Sequence, residues 1–166
     1  MSLGWGTRSP SSLLLAYRTP VMTWWKGQRI GAGSLVLVDE VYTCLSSPDG
    51  TRQWNHGDQE LTTSKLAAMA KELCSRNGIQ INRISTRHRV ADAAIGAALG
   101  SDDGSIGAQL KAHGAGFVAA PKGRRAPGWQ AIARLMEAAG DPFYPGLYAT
   151  PKVESFWATV PGLTYS

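Results

Sequence analysis

The chain has 166 residues and a net charge of +5, with 43% hydrophobic and 17% charged residues, the size and balance of one folded domain rather than a disordered or fibrous chain. No apolar run approaches the roughly 20 residues that span a bilayer, and no charged leader with an apolar core and a small-residue cleavage site opens the chain, so neither a membrane protein nor a secreted one is expected. The positive balance favours a polyanionic partner, of which nucleic acid is the commonest.

In chain order, the first 45 residues read as strands. Ser12 to Tyr17 is a short apolar run, Val21 to Trp25 is β-branched and aromatic, and Ser34 to Tyr42 is the strongest strand, with Leu35, Val36, Leu37, Val38 and Val41. Short turns between them, such as Lys26-Gly27-Gln28, predict an antiparallel meander. Trp24 and Trp25 are adjacent in a strand and so point to opposite faces, one of them into the core. Residues 46–60 read as a polar loop. The period then changes: Leu66, Met69, Ala70 and Leu73 lie on one helical face, with Thr62 as N-cap and Asn77-Gly78 as the stop. Ile79 to Ser85 reads as a fourth strand. Ser105 caps a helix through about His113, and Gly116 to Ala120 reads as a short buried strand. Pro127 starts a helix with Trp129, Ile132, Ala133 and Met136 on its core face, ended by Gly140 and Pro142. Gly146 to Ala149 is a further strand, and Lys152 to Thr159 a last helical stretch stopped by Pro161. Two cysteines, Cys44 and Cys74, are too few for a disulfide framework and lack metal-ligand spacing, so reduced thiols of a cytosolic protein are expected.

A meander followed by alternating helices and strands predicts an α/β protein whose mixed sheet carries helices on its faces. That order is ribonuclease H-like. A Rossmann domain would open on βαβ, and no Gly-x-Gly-x-x-Gly follows the first strand.

Phosphodiester cleavage on such a sheet needs carboxylates held at strand ends, where they converge on two divalent ions. Asp92 is the best-placed acid, just after the fourth predicted strand; the same position suits an Asp as the N-cap of a helix from Ala93 onward. Asp39 and Glu40 lie late in a strand and on opposite faces, so one of them at most points inward. Asp102-Asp103-Gly104 reads as a turn. Basic residues form two groups, Arg83, Arg87, His88 and Arg89, and Lys122, Arg124, Arg125 and Arg134. Either group is a solvated surface or a set of phosphate contacts whose affinity falls with salt.

Several segments, taken in order, resemble the nuclease domain of phage terminase large subunits, the DNA-packaging proteins. Gly4-Trp5-Gly6-Thr7-Arg8-Ser9-Pro10 is similar to the family's Asp-Trp-Gly-x-x-x-Pro first strand. Val90-Ala91-Asp92-Ala93-Ala94-Ile95 resembles its Ala-Asp-Pro-Ala motif. Gly104-Ser105-Ile106-Gly107-Ala108-Gln109-Leu110 resembles its Ser-Ile-Ala helix start, and Gly114-Ala115-Gly116-Phe117-Val118-Ala119-Ala120-Pro121 its Gly-Val-x-Phe-x-Pro-Ala strand. The basic loop Lys122 to Arg125 and Gly128-Trp129-Gln130 follow, and then Val153 to Pro161.

The resemblance implies one ribonuclease H-like domain over residues 1–166 without the family's ATPase domain, since no Walker-type Gly-x-x-x-x-Gly-Lys-Ser/Thr occurs. It implies cleavage of concatemeric double-stranded DNA by a water activated on Mg²⁺ or Mn²⁺. Asp92 would be a catalytic acid and metal ligand, Glu40 a substitute ligand, and Arg87, Arg89, Lys122, Arg124 and Arg125 the DNA contacts. The portal and the small terminase subunit would be its partners, the host cytoplasm its place, and a monomer its isolated state. Two departures stand out: Gly4 occupies the position of the family's first acid, and the third acid belongs to a later helix, beyond Ser166. One acid cannot hold two hard cations, which need several oxygen ligands. The departures leave a non-catalytic DNA- or portal-binding remnant of the same fold as the alternative. A resolvase- or transposase-type nuclease and a generic structural protein are more distant ones.

Overall fold

The computed structural model describes residues 1–6, 8–58, 60–96, 104–121, 123 and 125–163. The elements are β1 (Ser2–Gly4), β2 (Ser12–Arg18), β3 (Thr23–Trp25), β4 (Gln28–Ile30), β5 (Leu35–Tyr42), β6 (Cys44–Ser46), β7 (Arg52–Gly57), α1 (Thr63–Ser75), β8 (Val90–Ala91), α2 (Ile106–Ala112), β9 (Val118–Ala119), α3 (Arg125–Glu137), β10 (Leu147–Ala149) and α4 (Glu154–Leu163). Among the described residues no helix is long and apolar enough to cross a membrane.

Six strands form one mixed sheet in the order β10-β5-β2-β1-β8-β9. β1 runs antiparallel to β2 and parallel to β8, β8 is parallel to β9, and β10 is parallel to β5. Backbone bonds from Thr43 to Ser11 and from Thr19 to Ser34 bracket the β2–β5 pair and give it antiparallel sense. The meander is therefore β1, β2 and β5. The expected middle strand, Val21 to Trp25, instead contributes Thr23–Trp25 to a separate hairpin with β4. Its two-residue turn, Lys26-Gly27, has both residues at positive φ, 46° and 76°, the twist that tight hairpins favour.

Contacts divide the chain into two units, Met1–Leu15 with Glu40–Ala120, and Ala16–Asp39 with Pro121–Ser166. In the first, Leu3, Leu13, Leu66, Ala70, Leu73, Ile106 and Leu110 are buried. α1 forms as the sequence predicts. Thr62 Oγ1 accepts the Lys65 N–H at 3.1 Å, and the buried positions Leu66, Ala67, Ala70, Leu73 and Cys74 make one stripe. Its end is a Schellman closure: Gly78, at φ 75°, lets the Ile79 N–H reach the Cys74 carbonyl while the Gly78 N–H bonds that of Ser75.

The strand expected at Ile79 to Ser85 is not formed. The segment makes 3-10 turns at Ile81–Arg83 and Thr86–His88, and the strand follows at Val90–Ala91. Local bonds decide this: Arg83, Ile84, His88 and Arg89 each bond the carbonyl three residues back, and Asn82, Ser85 and Thr86 are residue types that favour turns over a ladder. The expected loop at 46–60 holds the β6–β7 hairpin, turning at Pro48 to Gly50. β7 carries Gln53, Asn55 and His56, which hide its pattern. Gly116 to Ala120 pairs only at Val118–Ala119 and is an exposed edge, not a buried strand.

The second unit buries Ile30, Val36 and Tyr148, with Trp25 and Val38 packed on them. The Trp25 and Tyr148 rings lie 5.5 Å apart. Trp25 is thus the inward member of the tryptophan pair, and Trp24 is 67% exposed. α3 departs from expectation. Trp129, Ile132 and Met136, read as its core face, are all exposed, and among the residues from 126 to 138 only Leu135 and Ala138 are partly covered. Periodicity identifies an apolar stripe but not what covers it. α4 is not stopped by Pro161 but continues to Leu163, because a proline near a helix end removes only one intrahelical bond.

Candidate functional site

β8 is two residues long, and its backbone continues into Asp92, whose N–H bonds the Leu3 carbonyl at 3.2 Å. The carboxylate then accepts two backbone donors. Oδ1 takes the Ala94 N–H at 2.9 Å, closing the turn at Ala93–Gly96, and Oδ2 takes the Trp5 N–H at 3.1 Å. The side chain is exposed, and each oxygen retains a second acceptor direction. Asp92 is therefore both the cap of its turn and a clasp between the ends of β1 and β8.

The register places Gly4 beside it. Leu3 pairs with Ala91 across the parallel β1–β8 ladder, so the next residue on each strand, Gly4 and Asp92, are neighbours. A Cβ built on Gly4 would meet Ser12 Oγ at 2.9 Å, the far end of a side chain that can rotate away.

The other acids are not gathered there. Asp39 is the buried member of its pair, at 4% exposure, and Glu40 is half-exposed, its carbonyl accepting Arg76 Nη2 at 2.7 Å. Glu40 lies on β5, separated from β8 by β2 and β1, a span of roughly 14 Å at ordinary strand spacing. Asp102 and Asp103 lie outside the described residues. Among the described residues no three Asp, Glu, His or Cys side chains come together as a metal site. The described residues thus do not fit a two-metal centre.

Of the basic residues, Arg87 and Arg89 precede β8 whereas Asp92 follows it, so they stand at the strand's opposite end, roughly 10 Å along it. Arg87 is exposed. Arg89 is half-buried; its Nη2 reaches Thr86 Oγ1 at 3.3 Å, while its Nε is enclosed with no hydrogen-bond partner. Lys122 and Arg124 lie outside the described residues, and Arg125 opens α3.

Basic–aromatic pairs on the hairpins escaped the sequence reading. The Arg29 guanidinium lies 5.2 Å from the Trp24 ring centre and Lys26 Nζ 5.1 Å from that of Trp25. In the first unit Arg52 lies 4.8 Å from the Trp54 ring. The signal was present in the register, since Trp24 faces Arg29 across the β3–β4 ladder, but reading it required the hairpin. Near the third pair, burial first, with the Cys44 and Glu40 charges adding to it, pushes the Tyr42 hydroxyl above its ordinary pKa; Arg52 acts in the other direction.

Compared with protein-family models, curated proteins and solved structures, the chain matches none.

Proposed function

We propose that the chain is a ribonuclease H-like domain of the terminase large-subunit type and that it acts on double-stranded DNA. The observation that carries this reading is the juxtaposition of Gly4 and Asp92. The two positions that the resemblance assigns to the family's first and second acids, 4 and 92, are far apart in sequence and adjacent in register. The strand order supports it: a β1-β2-β5 meander, then β8 parallel to β1 and β9 parallel to β8, is the arrangement a ribonuclease H-like sheet requires. The net charge of +5 suits a polyanion held by its phosphates, with affinity that falls as salt rises. Arg87, Arg89, Lys122, Arg124 and Arg125 are the proposed contacts, and Mg²⁺ or Mn²⁺ the proposed metal of the intact family centre.

A second reading, DNA binding without cleavage, is favoured by Gly4, which offers no carboxylate beside Asp92. Incubation of supercoiled plasmid with Mn²⁺ or with chelator separates the two. Nicking that requires Mn²⁺ and is lost in Asp92→Ala supports the nuclease. No nicking, with DNA affinity that falls steeply with salt, supports the binding module. In that case Gly4→Asp, which sets a second carboxylate beside Asp92, is expected to raise Mn²⁺ affinity measurably by calorimetry. DNA affinity that is absent at low salt, with no Mn²⁺ response in Gly4→Asp, would remove the terminase reading.

A further inference from the structure

We infer that the first unit carries a phosphate-binding cleft at the end of β8 remote from Asp92. The cleft has a volume of about 450 Å³ and is lined by Thr86, Arg89, Lys111, Gly114, Gly116 and Phe117, among others. Two cationic residues and a threonine line it, and none of its described lining residues is acidic. A concave surface carrying one sign of charge concentrates the opposite sign, and Arg with Lys is the pairing that phosphate oxygens select.

The cations are not consumed by the fold. Lys111 forms no hydrogen bond or ion pair among the described residues and extends from the exposed side of α2. Its stem passes Gly116, where a Cβ would stand 3.6 Å from Lys111 Cβ and Cγ. Arg89 has a single long bond, to Thr86 Oγ1 at 3.3 Å, out of the five N–H donors of a guanidinium. A third cation stands at the rim: a Cβ on Gly114 would meet Lys71 Nζ at 3.1 Å.

The C-terminus of α2 also borders the cleft, and free carbonyls there would repel an anion. They are largely occupied. The carbonyls of Leu110 and Lys111 accept the N–H groups of Ala115 and Gly114, and that of His113 accepts Lys71 Nζ at 2.6 Å. By contrast, the N–H groups of Gly116 and Phe117 have no acceptor among the described residues. Cations, a hydroxyl and unused backbone donors around one cleft suit a phosphoryl group, with space beyond it for part of the molecule that carries it. The inference shares Arg89 with the proposed DNA contacts but uses neither Asp92 nor Gly4, so it does not depend on a metal centre there.

The test is titration of the uniformly ¹⁵N-labelled chain with pyrophosphate, followed by amide resonances. Saturable shifts are expected at Gly114, Gly116, Phe117 and Val118. Lys111→Glu, on an exposed helix face, is expected to weaken binding about tenfold or more by replacing an attraction with a repulsion, with the remaining spectrum unchanged. Arg89→Gln serves as a second variant, its spectrum reporting whether the half-buried site keeps its fold. Shifts that do not saturate, that fall elsewhere on the surface, or that survive Lys111→Glu overturn the inference. A short DNA duplex added to the pyrophosphate complex then identifies the source of the phosphate: displacement points to a nucleic-acid backbone, and coexistence to a small phosphorylated molecule.

Discussion

Asp92 combines two requirements that conflict in most residues. As a cap it must spend its oxygens on backbone donors, and it does so with Ala94 and Trp5. As a candidate ligand it must remain open to solvent, and it is exposed. The combination allows a clean separation by mutation. Asp92→Ala loses both acceptors and is expected to lower stability by about 1–2 kcal/mol in a urea melt. Asp92→Asn keeps one carbonyl oxygen for the turn and is expected to cost about half as much, while removing the charge that any metal would need. Melts of both variants that coincide with the parent's would show that the two bonds contribute nothing to folding. The sequence alone offered the cap and the ligand as alternatives. It could not reveal that a backbone N–H from residue 5 would satisfy the second oxygen, because that contact depends on the β1–β8 register.

At the scale of elements, what was legible was local. α1 and α2 were readable because their caps, Thr62 and Ser105, are a few residues from the groups they bond. Two substitutions test the ends of α1 by chemical denaturation. Thr62→Ala is expected to cost about 1 kcal/mol through the lost cap. Gly78→Ala is expected to cost about 1–2 kcal/mol because a side chain disfavours the left-handed conformation; an unchanged midpoint in either would show that the helix end frays in the native state. β2 and β5 were readable because their alternation or apolar run is long. β1 and β8 were not, being three and two residues long and defined by their partners rather than by any pattern of their own; β9 was read as part of a longer, buried strand, of which only the exposed Val118–Ala119 pairs. The hairpin β6–β7 was hidden for a related reason: polar side chains on β7 erase the period that marks a strand. Ile79 to Ser85 shows the opposite error, an apolar spacing that local turn bonds override.

At the scale of the molecule, the succession of elements along the chain followed from the sequence more faithfully than the identity of the strands. A meander and then alternating helices and strands were expected, and that succession is present although its first strand, Ser2–Gly4, was read only as a motif. Burial on α3 was not legible, since an apolar stripe looks the same whether it faces a core or water. Trp129→Lys is accordingly expected to leave the free energy of unfolding, read from a urea melt, within about 0.5 kcal/mol of the parent; a loss of several kcal/mol would mean that the stripe is covered in solution. The parallel pairing of Ser2 with Val90 also sets a timetable for synthesis. A ribosome adding roughly 5–20 residues per second needs about 5–20 s between making β1 and making β8. Throughout that interval one edge of the newborn meander is unpaired, so a nascent chain would expose a docking edge for chaperones or for a neighbouring copy that the finished protein has closed.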